Sequence, residues 1–435
     1  MNKYILLVIC IILLNGCSFQ KNSKFWTTSK NIPEEKKQNF QKILIKEKTL
    51  TNELNPSLKI KLDDKINNDS LLLRNYSNND GRLDYNGVLK KSSRYKFKKI
   101  KNFHQFEPVI SFNKKNIIFF DDKGSILKFN DNSKLIWKKN YYSKSEKKLK
   151  PILQFANDNK ILIVADNIAK FYALNLTNGN LLWSKNNLAP FNSQIKIYKN
   201  KFFIIDFSNT LRCFSIKDGK ELWSLSTEKS LVRSQKKLSM VIVNDKILFN
   251  NSIGDISAVD INKGDLLWQL PTQSNLIYQS AFSLETSDII ADTNTIYFSN
   301  NKNQIFSIDL STGSFNWENK VNSNIRPSIV DNFLITVSLE GYLIVIEKNT
   351  GNIIRVTDIF KDFKKKKRNE IKPVGFVIGL KNIYLSTDNG RLIVVDILSG
   401  KTISILKVDN EKISRPFILD KNLFVIKDDA IIKLR

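Results

Sequence analysis

The chain has 435 residues and a formal net charge of +27, from 69 Lys and Arg against 42 Asp and Glu. This charge is typical of proteins that bind nucleic acid or anionic membranes. The export signal described next argues against nucleic acid. The composition is rich in Lys, Asn, Ile and Phe, which indicates that coding bias contributes to the positive charge. With three cysteines and one histidine, a disulfide framework, a His-rich metal site and a His-based catalytic triad are excluded.

The first residues are typical of a secreted lipoprotein. The apolar run Ile5–Leu14 is too short to cross a bilayer, which takes about 20 residues, so it indicates a signal peptide. The following Leu14-Asn15-Gly16-Cys17 resembles a bacterial lipobox. We expect residues 1–16 to be removed and Cys17 to carry lipid, with Ser18 favouring the periplasmic face of the outer membrane. The alternative is an ordinary signal peptide followed by an incidental cysteine.

Residues 17–94 are predicted to form a lipidated tether, largely irregular. The segment is rich in Lys, Asn, Ser and Asp, and residues 67–80 in particular are expected to be unstructured. Pro33–Lys48 is compatible with one short helix, and Leu58–Leu62 alternates like a short strand. The tether would space the following domain from the membrane and dock back on it.

A motif then recurs about every 45 residues, and a period of this size indicates a propeller, solenoid or array. It consists of a small residue, an apolar residue, an acid or amide, then Gly and Trp at intervals of four. The copies are Ala173-Leu174-Asn175 with Gly179 and Trp183, Cys213-Phe214-Ser215 with Gly219 and Trp223, Ala258-Val259-Asp260 with Gly264 and Trp268, and Ser307-Ile308-Asp309 with Gly313 and Trp317. An earlier copy ends at Trp137, and two later copies have Arg355 and Ser404 at the Trp position.

Each unit contains short β-branched or aromatic runs bounded by turn residues, and no helical period is sustained. Such runs include Ile161–Val164, Phe202–Ile205, Ile296–Phe298 and Leu334–Val337. Four strands in each unit of about 40–45 residues is propeller geometry. Pro108, Pro151, Pro327, Pro373 and Pro416 each precede an apolar run that opens a unit.

The last unit supplies only three strands: Pro416–Leu419, Leu423–Ile426 and Ile431–Leu434. A ring that lacks one strand leaves an exposed edge, so we expect Tyr95–Ile100 to complete the last blade. The sequence therefore predicts an all-β fold over residues 95–435: an eight-bladed β-propeller of four-stranded antiparallel blades, closed by strands from both chain ends.

The repeated tryptophans, Trp137, Trp183, Trp223, Trp268 and Trp317, have two interpretations. Large rings at the ends of outer strands would wedge between blades and bury apolar area; the other possibility is a platform on which a quinone stacks. A platform needs one or two rings rather than one in nearly every blade, so we expect a structural role. Cys213 occupies the small-residue position of its unit and is predicted to be a buried core residue.

Residues that carry chemistry are scarce. His104 is the single histidine and is expected to be a surface or strand-end residue. Asp121-Asp122 and Asp428-Asp429 lie at turns and resemble ordinary turn acids. We therefore expect no catalytic residues, no cofactor, no metal site, no small-molecule substrate and no nucleic-acid partner.

Together, the lipobox, the tether and the repeats resemble the pyrroloquinoline-quinone-type repeat propellers. One branch contains quinoprotein dehydrogenases, which are longer; their alcohol dehydrogenases carry a vicinal cysteine pair that is absent from this sequence. The other branch is the lipoprotein B subunit of the outer-membrane β-barrel assembly (BAM) machinery, which has the repeat without the cofactor and is matched in length and blade count. The resemblance implies a non-catalytic scaffold that helps barrel proteins to insert; the alternatives are a small quinone-dependent periplasmic dehydrogenase and a general binding or sensor propeller.

The resemblance also implies a partner site for the barrel-inserting subunit, and nascent outer-membrane proteins are possible further partners. In that family the docking patch uses loops after the third and fourth blades, with an Arg beside Leu and nearby acids. Leu231, Val232 and Arg233 match the first loop, Glu285 matches one acid, and Ser283 stands at the position of the other. Arg is enriched at interface hot spots; the alternative for Arg233 is a solvated loop cation.

Overall fold

The computed structural model describes residues 49–63, 71–228, 234, 236–272 and 284–435. In these residues, eight four-stranded antiparallel sheets form the blades of a ring. The predicted eight-bladed propeller is therefore confirmed. None of the described helices has the length and apolar character of a membrane-spanning helix.

In the first seven blades the strands follow chain order from the central channel to the outer edge. Their bounds are β2–β5 at Ser111–Asn113, Asn116–Phe120, Ile126–Phe129 and Leu135–Lys139; β6–β9 at Leu153–Asn157, Ile161–Asp166, Lys170–Asn175 and Leu181–Asn186; β10–β13 at Lys196–Tyr198, Lys201–Ile205, Thr210–Ser215 and Glu221–Ser226; β14–β17 at Met240–Val243, Lys246–Asn250, Ile256–Asp260 and Leu266–Leu270; β18–β21 at Ile290–Ala291, Thr295–Asn300, Gln304–Asp309 and Phe315–Asn319; β22–β25 at Ser328–Val330, Phe333–Val337, Tyr342–Glu347 and Ile353–Asp358; and β26–β29 at Pro373–Ile378, Asn382–Thr387, Arg391–Asp396 and Thr402–Lys407.

The eighth blade combines the first strand of the described chain with the last three. Its strands are β30 (Phe417–Leu419), β31 (Asn422–Lys427), β32 (Ala430–Leu434) and, outermost, β1 (Lys91–Lys96). Tyr95 pairs with Ile431 in the closing antiparallel ladder. The predicted donor, Tyr95–Ile100, was placed too far along the chain, because only its first two residues are in β1. Beyond the strand, the N–H groups of Phe97 and Ile100 donate to the carbonyls of Asp429 and Asp428.

Burial explains the composition of the strands. The second and third strands of a blade are covered on both faces by neighbouring blades, so β11 is a continuous apolar run in which Phe202, Phe203, Ile204 and Ile205 are all 0% exposed. The fourth strand forms the outer edge, where Leu181 and Leu182 of β9 are 42% and 49% exposed. Cys213 of β12 is fully buried, and burial raises the pKa of its thiol to about 12.

The acid of the motif shapes the turn between the third and fourth strands. Asp309 Oδ1 accepts hydrogen bonds from the Ser311 hydroxyl at 2.6 Å and from the backbone N–H groups of Thr312 and Ser311 at 2.8 and 2.9 Å. These bonds lower the pKa of Asp309 to about 2. The Gly313 N–H then donates to the Asp309 carbonyl at 3.0 Å, which closes the turn.

Each repeated tryptophan lies against the glycine turn of the next blade. Gly219 has φ +65°, and a Cβ there would lie 2.7 Å from the ring of Trp183, so both the conformation and the space require glycine. The indole N–H of Trp183 donates to the Ile216 carbonyl of that turn at 2.8 Å. The same ring-on-glycine contact joins Trp137 to Gly179, Trp223 to Gly264, Trp268 to Gly313 and Trp317 to Gly351.

Two other residues replace the tryptophan at the remaining described joints of this kind. Arg355 lies against Gly400 and donates to the Ile397 carbonyl at 3.2 Å and to that of Leu398. At ring closure, the Tyr95 hydroxyl donates to the Asp131 carbonyl at 2.9 Å. Ile397 and Asp131 each directly follow the acid or amide position of the motif, as Ile216 does. Trp, Arg and Tyr side chains therefore donate to the same carbonyl position of the turn at different joints.

The segments before β1 are more ordered than the sequence indicates. Residues 71–77, expected to be unstructured, form helix α1 (Leu71–Ser77). Residues 58–62, expected to be a strand, are irregular; Ile60 is nevertheless buried and donates to the Leu398 carbonyl at 3.1 Å. The proposed helix at Pro33–Lys48 lies outside the described residues. Two further short helices, α2 (Lys144–Lys148) and α3 (Lys365–Arg368), lie between blades.

Replacing Arg355 tests the repeated joint. Arg355→Ala removes a fully buried side chain and leaves carbonyl groups without their donor, so we expect the free energy of unfolding to fall by about 2–4 kcal/mol. Arg355→Trp restores the ring and N–H of the repeat and is expected to lose less than half as much. Urea denaturation of the two variants measures the difference; equal losses would contradict the equivalence of the joints.

Candidate functional site

The loops between blades meet at one end of the central channel and surround a wide opening, which we call the funnel. Its cavity has a volume of about 1430 Å³ and is lined by residues from nearly every inter-blade connection, among them Glu107, Lys236, Glu285, Asn324, Lys372 and Lys412. Charged residues of both signs therefore surround the opening.

The funnel contains the described part of the predicted partner patch. Glu285 is exposed at the rim, where its backbone N–H donates to Asn301 Oδ1 at 2.9 Å and its carboxylate accepts from the Asn324 amide. Leu231, Val232, Arg233 and Ser283 lie outside the described residues.

The two loops that carry the patch are nevertheless in direct contact. The Ser234 hydroxyl, one residue after Arg233, donates to the carbonyl of Leu284, one residue before Glu285, at 2.5 Å. Both Ser234 and Leu284 are buried. The loops that follow the third and fourth blades are therefore fastened together next to the predicted residues.

Lysines in the funnel were missed by the sequence reasoning. Lys236 Nζ donates to the Asn324 carbonyl at 2.7 Å and lies 3.5 Å from the Glu107 carboxylate. Burial by itself would raise the pKa of Glu107, but Lys236 and Lys237 outweigh it and hold that pKa below its usual value. The sequence signal for these funnel residues was the pair of adjacent lysines that follows Arg233. In a sequence with so many lysines, one such pair does not stand out.

His104 lies on the same rim. It is exposed within a short 3-10 turn, Phe103–Gln105, and its carbonyl accepts from Lys412 Nζ at 3.2 Å. The surface position is the one expected from the sequence. The described residues bring together no group of three or more His, Cys, Asp or Glu side chains suited to a metal ion.

The opposite end of the channel is filled by the chain itself. Helix α1 and residues 78–85, which we call the plug, cross the inner strands of the last six blades. Asn78 Nδ2 donates to the carbonyls of Met240 at 3.0 Å and Ile289 at 2.9 Å. Farther along, the Leu83 N–H donates to the Ile378 carbonyl at 2.9 Å. The plug thus supplies hydrogen bonds to channel walls from separate blades.

A buried ion pair and a lysine hydrogen bond hold the plug. Asp80 pairs with Arg415 and lies 3.8 Å from Arg74. Burial would raise the pKa of Asp80, but the guanidinium groups of Arg415, Arg326 and Arg74 outweigh it and hold that pKa below its ordinary value. Lys196 Nζ donates to Asn78 Oδ1 at 2.6 Å, and burial lowers the pKa of Lys196 to about 7.

Comparison with known proteins identifies the repeat. Residues 122–357 match the family model described as outer membrane protein assembly factor BamB. No curated protein sequence matches the chain.

Solved structures with the same fold include proteins of different activities. BamB from Moraxella catarrhalis is similar with a TM-score of 0.63 and 16% identity, over 80% of this chain and 100% of that one. Quinohemoprotein alcohol dehydrogenase from Comamonas testosteroni is similar with a TM-score of 0.64 and 9% identity, over 83% of this chain and 79% of that one. The computationally designed Ika8 protein is similar with a TM-score of 0.59 and 13% identity, over 78% and 99%. At these identities the likeness shows the fold alone.

Asp80→Asn tests the ionic hold on the plug. The substitution leaves the Arg415 guanidinium buried without its carboxylate, so we expect residues 71–85 to open more readily, with amide hydrogen exchange there at least ten-fold faster. Asp84→Asn is the matched control, because Asp84 pairs with Lys421 at an exposed position. Unchanged exchange in Asp80→Asn, or an equal change in the control, would show that the buried pair does not hold the plug.

Proposed function

The chain belongs to the family of the outer membrane protein assembly factor BamB, and from this premise we propose that it is a non-catalytic scaffold of the outer-membrane β-barrel assembly machinery. It docks on the barrel-inserting subunit and helps barrel proteins to insert. Cys17 carries the lipid that holds it at the periplasmic face of the outer membrane.

The observation that carries this proposal is the hydrogen bond from Ser234 to Leu284 at 2.5 Å. Ser234 directly follows Leu231, Val232 and Arg233 in the sequence and Leu284 directly precedes Glu285, so the bond supports a patch shared by the two loops. A patch made from two loops needs a fixed separation between them, and this bond supplies it. In the proposed interface Leu231 and Val232 give apolar contact, Arg233 is the charged anchor, and Glu285 fixes the register by charge complementarity.

The plug supports a scaffold rather than a quinone enzyme. Asn78 and Asp80 fill one end of the channel with the chain's own side chains, so that end is not open to a planar cofactor. No bond is made or broken in the proposed role. The propeller acts as a rigid platform that positions its partner.

The outer edges of the blades give the platform a second use. Exposed apolar side chains repeat on the fourth strands, including Ile136 on β5, Leu222 on β13 and Leu267 on β17. The chain already pairs one such edge itself, because Leu54 and Val356 of β25 exchange two backbone hydrogen bonds at 3.1 and 2.9 Å. Incoming strands of outer-membrane proteins would add to the free edges in the same way, by β-augmentation.

Charge reversal at the rim tests the docking patch. We expect Arg233→Glu to reduce co-purification with the barrel-inserting subunit at least ten-fold, because the anchor charge is inverted, with no change in thermal unfolding. Lys217→Glu is the matched control: it makes the same change of charge on an exposed turn at the far end of β13. Wild-type recovery of the partner with Arg233→Glu would reject this patch.

A further inference from the structure

Between the plug and the funnel the channel narrows to a constriction, which we call the neck, formed by Lys237, Arg326 and Arg415. All three residues line both a cavity of about 150 Å³ beneath the plug and a smaller one of about 30 Å³ beside it. Lys237 also lines the funnel. The neck is therefore reached from the open end of the channel.

The neck carries more positive charge than its surroundings balance. Arg326 pairs with Asp288, Nε to Oδ2 at 2.7 Å, and Arg415 pairs with Asp80. A third carboxylate, Glu107, lines the smaller cavity and lies beside Lys236, whereas Asp80 is the one acidic residue among the described residues that line the cavity beneath the plug. Arg74 adds further positive charge to the cavity beneath the plug.

Polar groups in the neck are left without partners. The Nε atoms of Arg415 and Arg74 are buried, and neither has an acceptor among the described residues. A buried N–H donor without an acceptor is unfavourable, and these two donors favour an external anion.

We propose that the neck binds a small polyvalent oxyanion of the phosphate class. Guanidinium N–H groups and a lysine ammonium form the donor set that recognises tetrahedral oxyanions. A cavity of about 150 Å³ accommodates a molecule the size of benzene, which suits a single phosphate group and leaves no room for a polymer or an acyl chain. The bound anion neutralises Lys237 and supplies acceptors to the orphaned Nε atoms.

The anion would also hold the plug more firmly. It bridges Arg415, which belongs to the wall of the eighth blade, and Arg74, which belongs to α1. The charge of Lys237 is then compensated in place: burial currently holds the pKa of its ammonium below its ordinary value, and a neighbouring dianion raises it.

Thermal unfolding of the purified protein in inorganic phosphate tests the proposal. We expect the unfolding temperature to rise with phosphate concentration and to saturate, while acetate at matched ionic strength has no such effect, because one ligand binds only the folded state. Glycerol 3-phosphate, a soluble stand-in for a lipid headgroup, separates the possible sources: a site that takes free phosphate alone will not respond to it.

Two lysine variants locate the binding. Lys237→Gln is expected to weaken phosphate binding at least ten-fold in isothermal titration, while the unfolding temperature in acetate changes little. Lys372→Gln, at the mouth of the funnel, is expected to bind as the wild type does. Equal responses to phosphate and acetate, or a loss of binding in Lys372→Gln but not in Lys237→Gln, would overturn the proposal.

Discussion

The contact between an aromatic ring and the glycine turn of the next blade is the constraint on which the rest of the structure depends. At five joints a tryptophan ring lies on a glycine, and at four of them the indole N–H also donates to a turn carbonyl, as Trp183 does to Ile216. Trp223 departs from this pattern, since its buried indole N–H has no acceptor among the described residues. Arg355 and Tyr95 donate to the equivalent turn carbonyl with other side chains, so this hydrogen bond is kept where the tryptophan is not.

A propeller whose blades are held together in this way has fixed positions for its loops and its channel. The rim of the funnel carries two loops fastened to each other at Ser234 and Leu284, and the channel behind it is sealed by the plug through Asn78 and Asp80. A propeller whose blades shifted against each other would hold neither feature. Packing at the periphery therefore determines what the two ends of the channel present to partners and ions.

The sequence was sufficient for the architecture because the repeat records one structural unit many times. It was less informative where a segment is used once. The closing strand was misplaced because Lys91–Lys96 is an outer edge strand with mostly polar side chains, and such a strand lacks the apolar alternation that marks buried ones. The plug was missed for a related reason: Asn78 and Asp80 look like residues of a disordered linker until the ring supplies Met240, Ile289 and Arg415 as partners. The contact between Ser234 and Leu284 joins loops fifty residues apart, and no local pattern predicts it.

The central claim is that the fastened rim loops form the face that meets the barrel-inserting subunit. Site-specific photo-crosslinking in the native envelope, with the reactive residue placed at position 285 and, separately, at position 217 on the far end of blade three, measures this most directly. The account predicts a crosslink to the barrel-inserting subunit from position 285 and none from position 217. A crosslink from position 217 alone would contradict it.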